Sequence, residues 1–239
     1  MPKPKSYLVC GTPRTGSTYL CDLLASTGVA GHPESYFREP DQQDWARRFG
    51  VRVSNDGSFD YSAFVKGAVR AGRSANGVFA ARIMWGTLDV IVRGLRASPT
   101  ASDLEVLGEA FGPIHFVWLR RADDIGQAVS WARAEQTGYW QNGDAAQATP
   151  QLDIGQVDDL LRTVRDHNDA WRTWFADQRV EPQEVTYEDL IGDPGGTIFG
   201  VLDHLGLVAP SDWRPRSKHV RQADEVNQEW VRGYSKSRW

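Results

Sequence analysis

Apolar positions first gather at Tyr7–Cys10, stop at a glycine, and resume with a different period. Leu20, Leu23 and Leu24 fall at i, i+3 and i+4, the spacing of one helix face, and Gly28 ends the pattern. The chain therefore opens as a strand, a glycine loop and a helix. Pro33 breaks any helix in the following stretch, and Glu39 to Asp60 is polar and charged without a readable period. Tyr61 to Arg70 reads as a helix. "NGVFAARIMW" (Asn76–Trp85) starts on a turn signal and reads as a second strand, with a helix from Leu88 to Leu95. "IHFVWL" (Ile114–Leu119) is a third strand and Ala122–Gln136 its helix. Gly138–Gln151 reads as a loop able to act as a lid. Asp153–Gln178 is a long helix whose apolar positions include Leu160, Leu161, Val164, Ala170, Trp171 and Trp174. Glu184–Leu190 reads as a strand leading into a turn, Thr197–Leu205 as a helix, and Arg214–Trp239 as a polar end holding Trp230 and Tyr234. Strands alternating with helices predict an α/β fold with a buried parallel sheet. With no internal repeat and no linker, one domain over residues 1–239 is expected.

Composition narrows the function classes. The chain has 239 residues, 41% hydrophobic and 24% charged, the make-up of a globular protein. Its two cysteines, Cys10 and Cys21, read as reduced structural thiols rather than a disulfide or zinc framework. No apolar run approaches the ~18 residues of a membrane span. The run after the basic Met1–Lys5 is too short for a secretory core, so a cytoplasmic protein is expected. A net charge of −4 argues against nucleic acid as a partner. Basic residues cluster locally at Arg120-Arg121 and over Arg214, Arg216, Lys218, His219 and Arg221, which suits a small anion better than a polyanion.

The loop "VCGTPRTGSTYL" (Val9–Leu20) has P-loop spacing, with Gly11, Gly16 and Thr18 in place. Such a loop curls backbone N–H groups around phosphate oxygens, and the helix dipole adds to the attraction. Ser17 stands where nucleotide triphosphatases carry the lysine that reaches the β- and γ-phosphates. Arg14 is the only cation in the loop. The expected ligand has a phosphate group but no Mg²⁺-bound γ-phosphate. Arg120 and Arg121 lie at the C-terminal end of the third strand, where open α/β sheets bind ligands, and Ser130 lies nine residues beyond Arg121. Arg121 and Ser130 are candidates for a second phosphate. An Arg121 pair with Asp123 or Asp124 is the competing structural reading.

The two clusters together resemble the sulfotransferases that use PAPS (3′-phosphoadenosine 5′-phosphosulfate), and most closely the bacterial trehalose 2-sulfotransferase family. "GTPRTGSTYL" and "LRRADDIGQAVS" match the phosphate-binding motifs. Gly28–Pro33, Met84-Trp85, Gln127–Ser130 with Gln136-Thr137, and Arg221–Asp224 with Glu229–Val231 match that branch nearly end to end. The resemblance implies the sulfotransferase fold and PAPS as donor, with PAP as product. It places Arg14, Thr15, Gly16, Ser17 and Thr18 on the 5′-phosphosulfate, and Arg121 and Ser130 on the 3′-phosphate. Arg221 and Gln222 would close over the cofactor, and a homodimer is implied.

Arg82, before the "MW" pair, would stabilise charge on the transferring sulfuryl group. The family's catalytic glutamate falls at Ser35 in this chain, with Glu34 one residue earlier. Glu34 is therefore the expected base and His32 its runner-up. Tyr36, Phe37, Trp85 and Trp140 would line the acceptor pocket. The expected reaction is in-line, metal-independent sulfuryl transfer to a hydroxyl of a carbohydrate, glycolipid or other small acceptor. Alternatives are a P-loop kinase lacking the loop lysine and a non-catalytic nucleotide-binding module.

Overall fold

In a computed structural model the chain is described at residues 6–138, 140, 149–216 and 225–237. A four-stranded parallel sheet has the order β2-β1-β3-β4, built from β1 (Ser6–Gly11), β2 (Phe79–Met84), β3 (Ile114–Arg120) and β4 (Gln183–Thr186). The central strand β1 is buried along its whole length, so it reads as a continuous apolar run rather than an alternation. Isolated bridges from Glu34 to Ala81 and from Arg73 to Phe79 extend the sheet beyond β2.

Side-chain alternation divides the core between the two faces of this sheet. Leu8, Cys10, Phe79, Ala81, Ile83, Phe116 and Trp118 face one way. They meet α3 (Tyr61–Ala71), α4 (Trp85–Leu95), α5 (Asp103–Phe111) and the far end of α7 (Ile154–Asp177) through Phe64, Leu88, Leu107, Trp171 and Phe175. Tyr7, Val9, Ala80, Val117 and Leu119 face the other way, onto α1 (Ser17–Ser26) and α9 (Pro194–His204). Each buried Val, Leu, Ile or Phe among these contributes roughly 1.5–3 kcal/mol of transfer free energy. The expected stripe on α1 is real: Leu20, Leu23 and Leu24 are fully buried. A smaller cluster joins α6 (Asp124–Thr137), the near end of α7 and α10 (Glu225–Lys236).

The polar stretch after Glu39 hides a helix with little apolar stripe. Within Glu39–Asp60 lies α2 (Glu39–Arg48), which buries only Gln42 and Ala46. Proline in its first turn, acids Glu39 and Asp41 at its start, and Arg47 and Arg48 at its end support it instead. Helix α5 begins with a capping box between Ser102 and Glu105. Helix α10 buries Trp230 and Tyr234, one turn apart. Two boundaries also move. Trp85, expected to end a strand, starts α4. Tyr187–Leu190, expected as strand, lies in α8 (Tyr187–Gly192), capped by Thr186 Oγ1 accepting from the Asp189 N–H at 3.0 Å. Cys10 and Cys21 are both buried free thiols. No helix among the described residues is long and apolar enough to cross a membrane.

Candidate functional site

The loop between β1 and α1 is tied down by residues far away in sequence. Thr15 donates its hydroxyl to the Thr12 carbonyl at 3.0 Å and is fully buried. Thr12 donates to Asn168 Oδ1 on α7 at 3.1 Å, and Trp171 Nε1 donates to the Gly11 carbonyl at 3.0 Å. Gln127 Nε2 on α6 donates to the Pro13 carbonyl at 2.7 Å. These bonds occupy loop carbonyls and hydroxyls and turn them inward. Gly16 is left-handed at φ 81°, ψ 16°, and begins α1 without a side-chain cap. The first turn of α1 carries no acid. Its N-terminal N–H groups and dipole thus meet no competing carboxylate of their own, the condition for holding an anion.

Arg82 lies beside this helix start. Its Nη1 donates to Thr18 Oγ1 at 2.7 Å and its Nε to Ser35 Oγ at 2.8 Å. Both partners are neutral, and no acid among the described residues forms an ion pair with Arg82. The bridge fixes the geometry. The Arg82 N–H donates to the Glu34 carbonyl at 3.0 Å and Glu34 pairs with Ala81. Paired residues share a face in a parallel ladder, so Ser35 leaves on the Arg82 face and Glu34 on the Ala81 face. Glu34 and His32 are both exposed. The Glu34 charge is felt by Tyr36, whose hydroxyl pKa is raised mainly by burial and further by Glu34.

The second cluster divides between two places. Ser130 is buried and accepts from Arg14 Nε at 3.0 Å, so the helix serine and the loop arginine meet directly. Arg14 is itself left-handed, φ 69°, and its Nη1 donates to the Trp140 carbonyl at 2.6 Å. A non-glycine residue held there is strained, which is common where a site dictates the backbone. Arg121 has only 13% of its side chain exposed. Its Nη2 is 3.4 Å from Asp123, its guanidinium lies 4.8 Å from the centre of the Tyr187 ring, and its buried Nε has no partner among the described residues. The competing Arg121–Asp123 pair therefore exists, at the long end of ion-pair distance, and leaves donor capacity unused. Asp123 also caps α6, accepting from the Gly126 N–H at 2.8 Å.

The aromatic candidates separate by burial. Tyr36 and Phe37 are 2% and 0% exposed and pack in the core, Phe37 edge-on to Phe64 and Phe111. Neither ring has a free face for an acceptor, so their expected lining role is replaced by a packing role. Trp85 is half-buried against the edge of Trp171, and Trp140 is exposed. Arg221 and Gln222, and most of the expected lid over Gly138–Gln151, lie outside the described residues. Asn168, Trp171, Gln127 and Tyr187 were not singled out as site residues by sequence reasoning. All four sit on helices; Gln127 falls in the matched Gln127–Ser130 stretch, and no local spacing marks the other three as site residues.

Comparison with known proteins gives the family and the fold. The family model described as Stf0 sulphotransferase matches residues 6–237. The chain is 28% identical to a trehalose 2-sulfotransferase of Mycolicibacterium smegmatis, over 97% of this chain and 94% of that protein. It is 28% identical to the trehalose 2-sulfotransferase of Mycobacterium tuberculosis, over 96% and 94%. Among solved structures, the sulfotransferase domain from the curacin biosynthetic pathway superposes with a TM-score of 0.54 at 14% identity, over 94% of this chain and 82% of that one, a likeness of fold. The chain belongs to the Stf0 sulphotransferase family.

Proposed function

We propose that this sulfotransferase moves a sulfuryl group from PAPS to a hydroxyl of a carbohydrate or glycolipid, with the trehalose of its named relatives as the first acceptor to test. The observation that carries this reading is Arg82. A half-buried guanidinium bonded by two neutral hydroxyls, beside an acid-free helix N-terminus, favours an anion at that point. The loop has no lysine for a γ-phosphate, which weighs against a kinase.

PAPS would supply the activated sulfuryl group. The backbone N–H groups over residues 14–18, the Ser17 and Thr18 hydroxyls and Arg14 would hold its 5′-phosphosulfate. Thr15 would contribute through its N–H, since its hydroxyl serves Thr12. The unpartnered Nε of Arg121 and the Ser130 hydroxyl would take the 3′-phosphate, with Arg221 and Gln222 closing over the nucleotide. Glu34, with His32 as runner-up, takes the proton from the acceptor hydroxyl as its oxygen attacks sulfur in line with the S–O bond to the 5′-phosphate. Such a base contributes roughly 10²–10⁴ in rate. Arg82 holds the charge that gathers on the sulfonate oxygens. Trp85 and Trp140 offer ring faces to the acceptor. In this reading the chain is one domain and works in the cytoplasm as a homodimer, which light scattering would test.

The deciding experiment incubates the protein with labelled PAPS and a panel of hydroxylated acceptors headed by trehalose. Transfer of label to a sugar hydroxyl is expected. Failure to bind PAP together with no transfer to any acceptor overturns the reading.

A further inference from the structure

We propose that Ser35 is a positioning residue for sulfuryl transfer: its hydroxyl, together with that of Thr18, aims the Arg82 guanidinium at the donor's sulfonate while leaving its charge intact. This rests on the reading of the chain as PAPS-dependent.

A guanidinium carries five N–H donors in a rigid plane, so two fixed bonds determine where the others point. Here the two come from separate elements. Thr18 stands in the first turn of α1, and Ser35 stands on the segment beyond the sheet edge. Ser35 is not loosely placed. The neighbouring Glu34 is bridged to β2, and the Arg82 backbone N–H is one of the bonds that makes the bridge. The same strand residue thus fixes the segment through its main chain and is fixed by it through its side chain. The N–H groups of Arg82 not given to Thr18 and Ser35 make no further hydrogen bond to the described residues.

The chemistry of the partner matters as much as its place. A hydroxyl orients a guanidinium and leaves its full charge available. A carboxylate in the same place would orient it and cancel the charge. The charge is felt nearby: Cys21, one turn along α1 from Thr18, has its thiol pushed up to about 12, mainly by burial, with Arg82 pulling the other way and Glu34 adding to the rise.

The test compares Ser35→Ala and Ser35→Thr with the wild type. Isothermal titration gives the Kd for PAP, which lacks the sulfonate, and for PAPS, which has it; the trehalose sulfation rate is read alongside. PAP affinity should stay within about twofold throughout, and Ser35→Ala should weaken PAPS relative to PAP by about tenfold, the loss of one charge-assisted bond that holds the sulfonate's partner. Ser35→Thr should restore the wild-type ratio. Should Ser35→Ala fail to fold in a thermal melt, Ser35→Cys replaces it, being of similar volume and a weak acceptor. A wild-type PAPS-to-PAP ratio in Ser35→Ala, or a Ser35→Thr that fails to restore the ratio, overturns the role of Ser35 alone. A wild-type protein that binds neither nucleotide overturns the donor reading itself.

Discussion

Replacing Gly16 by alanine probes what the glycine loop demands. Gly16 sits at φ 81°, where an L-residue costs roughly 1–2 kcal/mol. A Cβ there would also lie 2.7 Å from Cδ2 and 3.1 Å from Cε2 of Tyr187. Carbon atoms prefer roughly 3.5–4.0 Å, so one of the two must move. The ring has little room to retreat, with the Arg121 guanidinium 4.8 Å from its centre and α8 capped at Thr186. Overpacking of this kind adds about 1–3 kcal/mol. The two contributions lower the unfolding free energy by about 2–5 kcal/mol, or roughly 5–15 °C in Tm for a chain of this size. Urea and thermal unfolding of Gly16→Ala, Tyr187→Ala and the double variant separate them. Removing the ring should recover about 1 kcal/mol or more of the Gly16→Ala cost as coupling, while the backbone cost persists. PAP binding should fall in Gly16→Ala, because the N–H groups that follow are re-aimed. An unfolding free energy within about 0.5 kcal/mol of wild type would refute the strain argument, and a strictly additive cycle would refute the ring contact.

Other outcomes follow from the same geometry. Arg121→Ala should weaken PAP binding by about tenfold or more, while Glu34→Gln leaves PAP affinity nearly intact and slows transfer about 10²-fold or more; equal losses of PAP affinity would contradict the division of roles. Asn168→Ala removes the partner of the buried Thr12 hydroxyl and should cost about 1–3 kcal/mol in urea unfolding, with weaker PAP binding although residue 168 lies on α7. His115, 5.6 Å from His204 between ring centres, has its pKa lowered by burial and then by His204, and His167 has its pKa lowered by burial against an opposing pull from Asp166. A lowered folded-state histidine pKa means the unfolded chain binds more protons, so stability should rise with pH through the ordinary histidine value of 6.5 and be lost progressively below it. The urea midpoint should fall between pH 7.5 and 5.5, and His115→Gln or His167→Gln should flatten that fall; an unchanged slope in both would contradict it.

The strand–loop–helix opening was legible because its signals are local. Apolar period, glycine and a hydroxyl pair are all read within Tyr7–Leu24, and the structure has them as β1, loop and α1 with ends shifted by one or two residues. The long α7 was legible for the same reason. Helix α2 was not, because end charges and a proline in its first turn support it rather than an apolar stripe; α5 and α10 went unread although α5 buries Val106, Leu107 and Phe111 behind a capping box and α10 buries Trp230 and Tyr234. Phe37 illustrates the opposite error. An aromatic residue in a loop that follows a proline reads as exposed and available, but this loop runs along the sheet edge and both Tyr36 and Phe37 enter the core.

Chemical character, then, was written in the one-dimensional order: a parallel α/β sheet, an anion-binding loop without a lysine, and basic and hydroxyl residues at a strand end and on a helix. Pairing was not. That Arg14 meets Ser130, that Arg82 is held by Thr18 and Ser35, and that Asn168 and Trp171 fasten the loop from α7 depend on chain segments brought together across 47 to 160 positions. Periodicity carries information over a few turns, because it reflects which face of one element is dry. Which side chain completes another's hydrogen bonds depends on register and packing among several elements at once, and only the folded sheet supplies those.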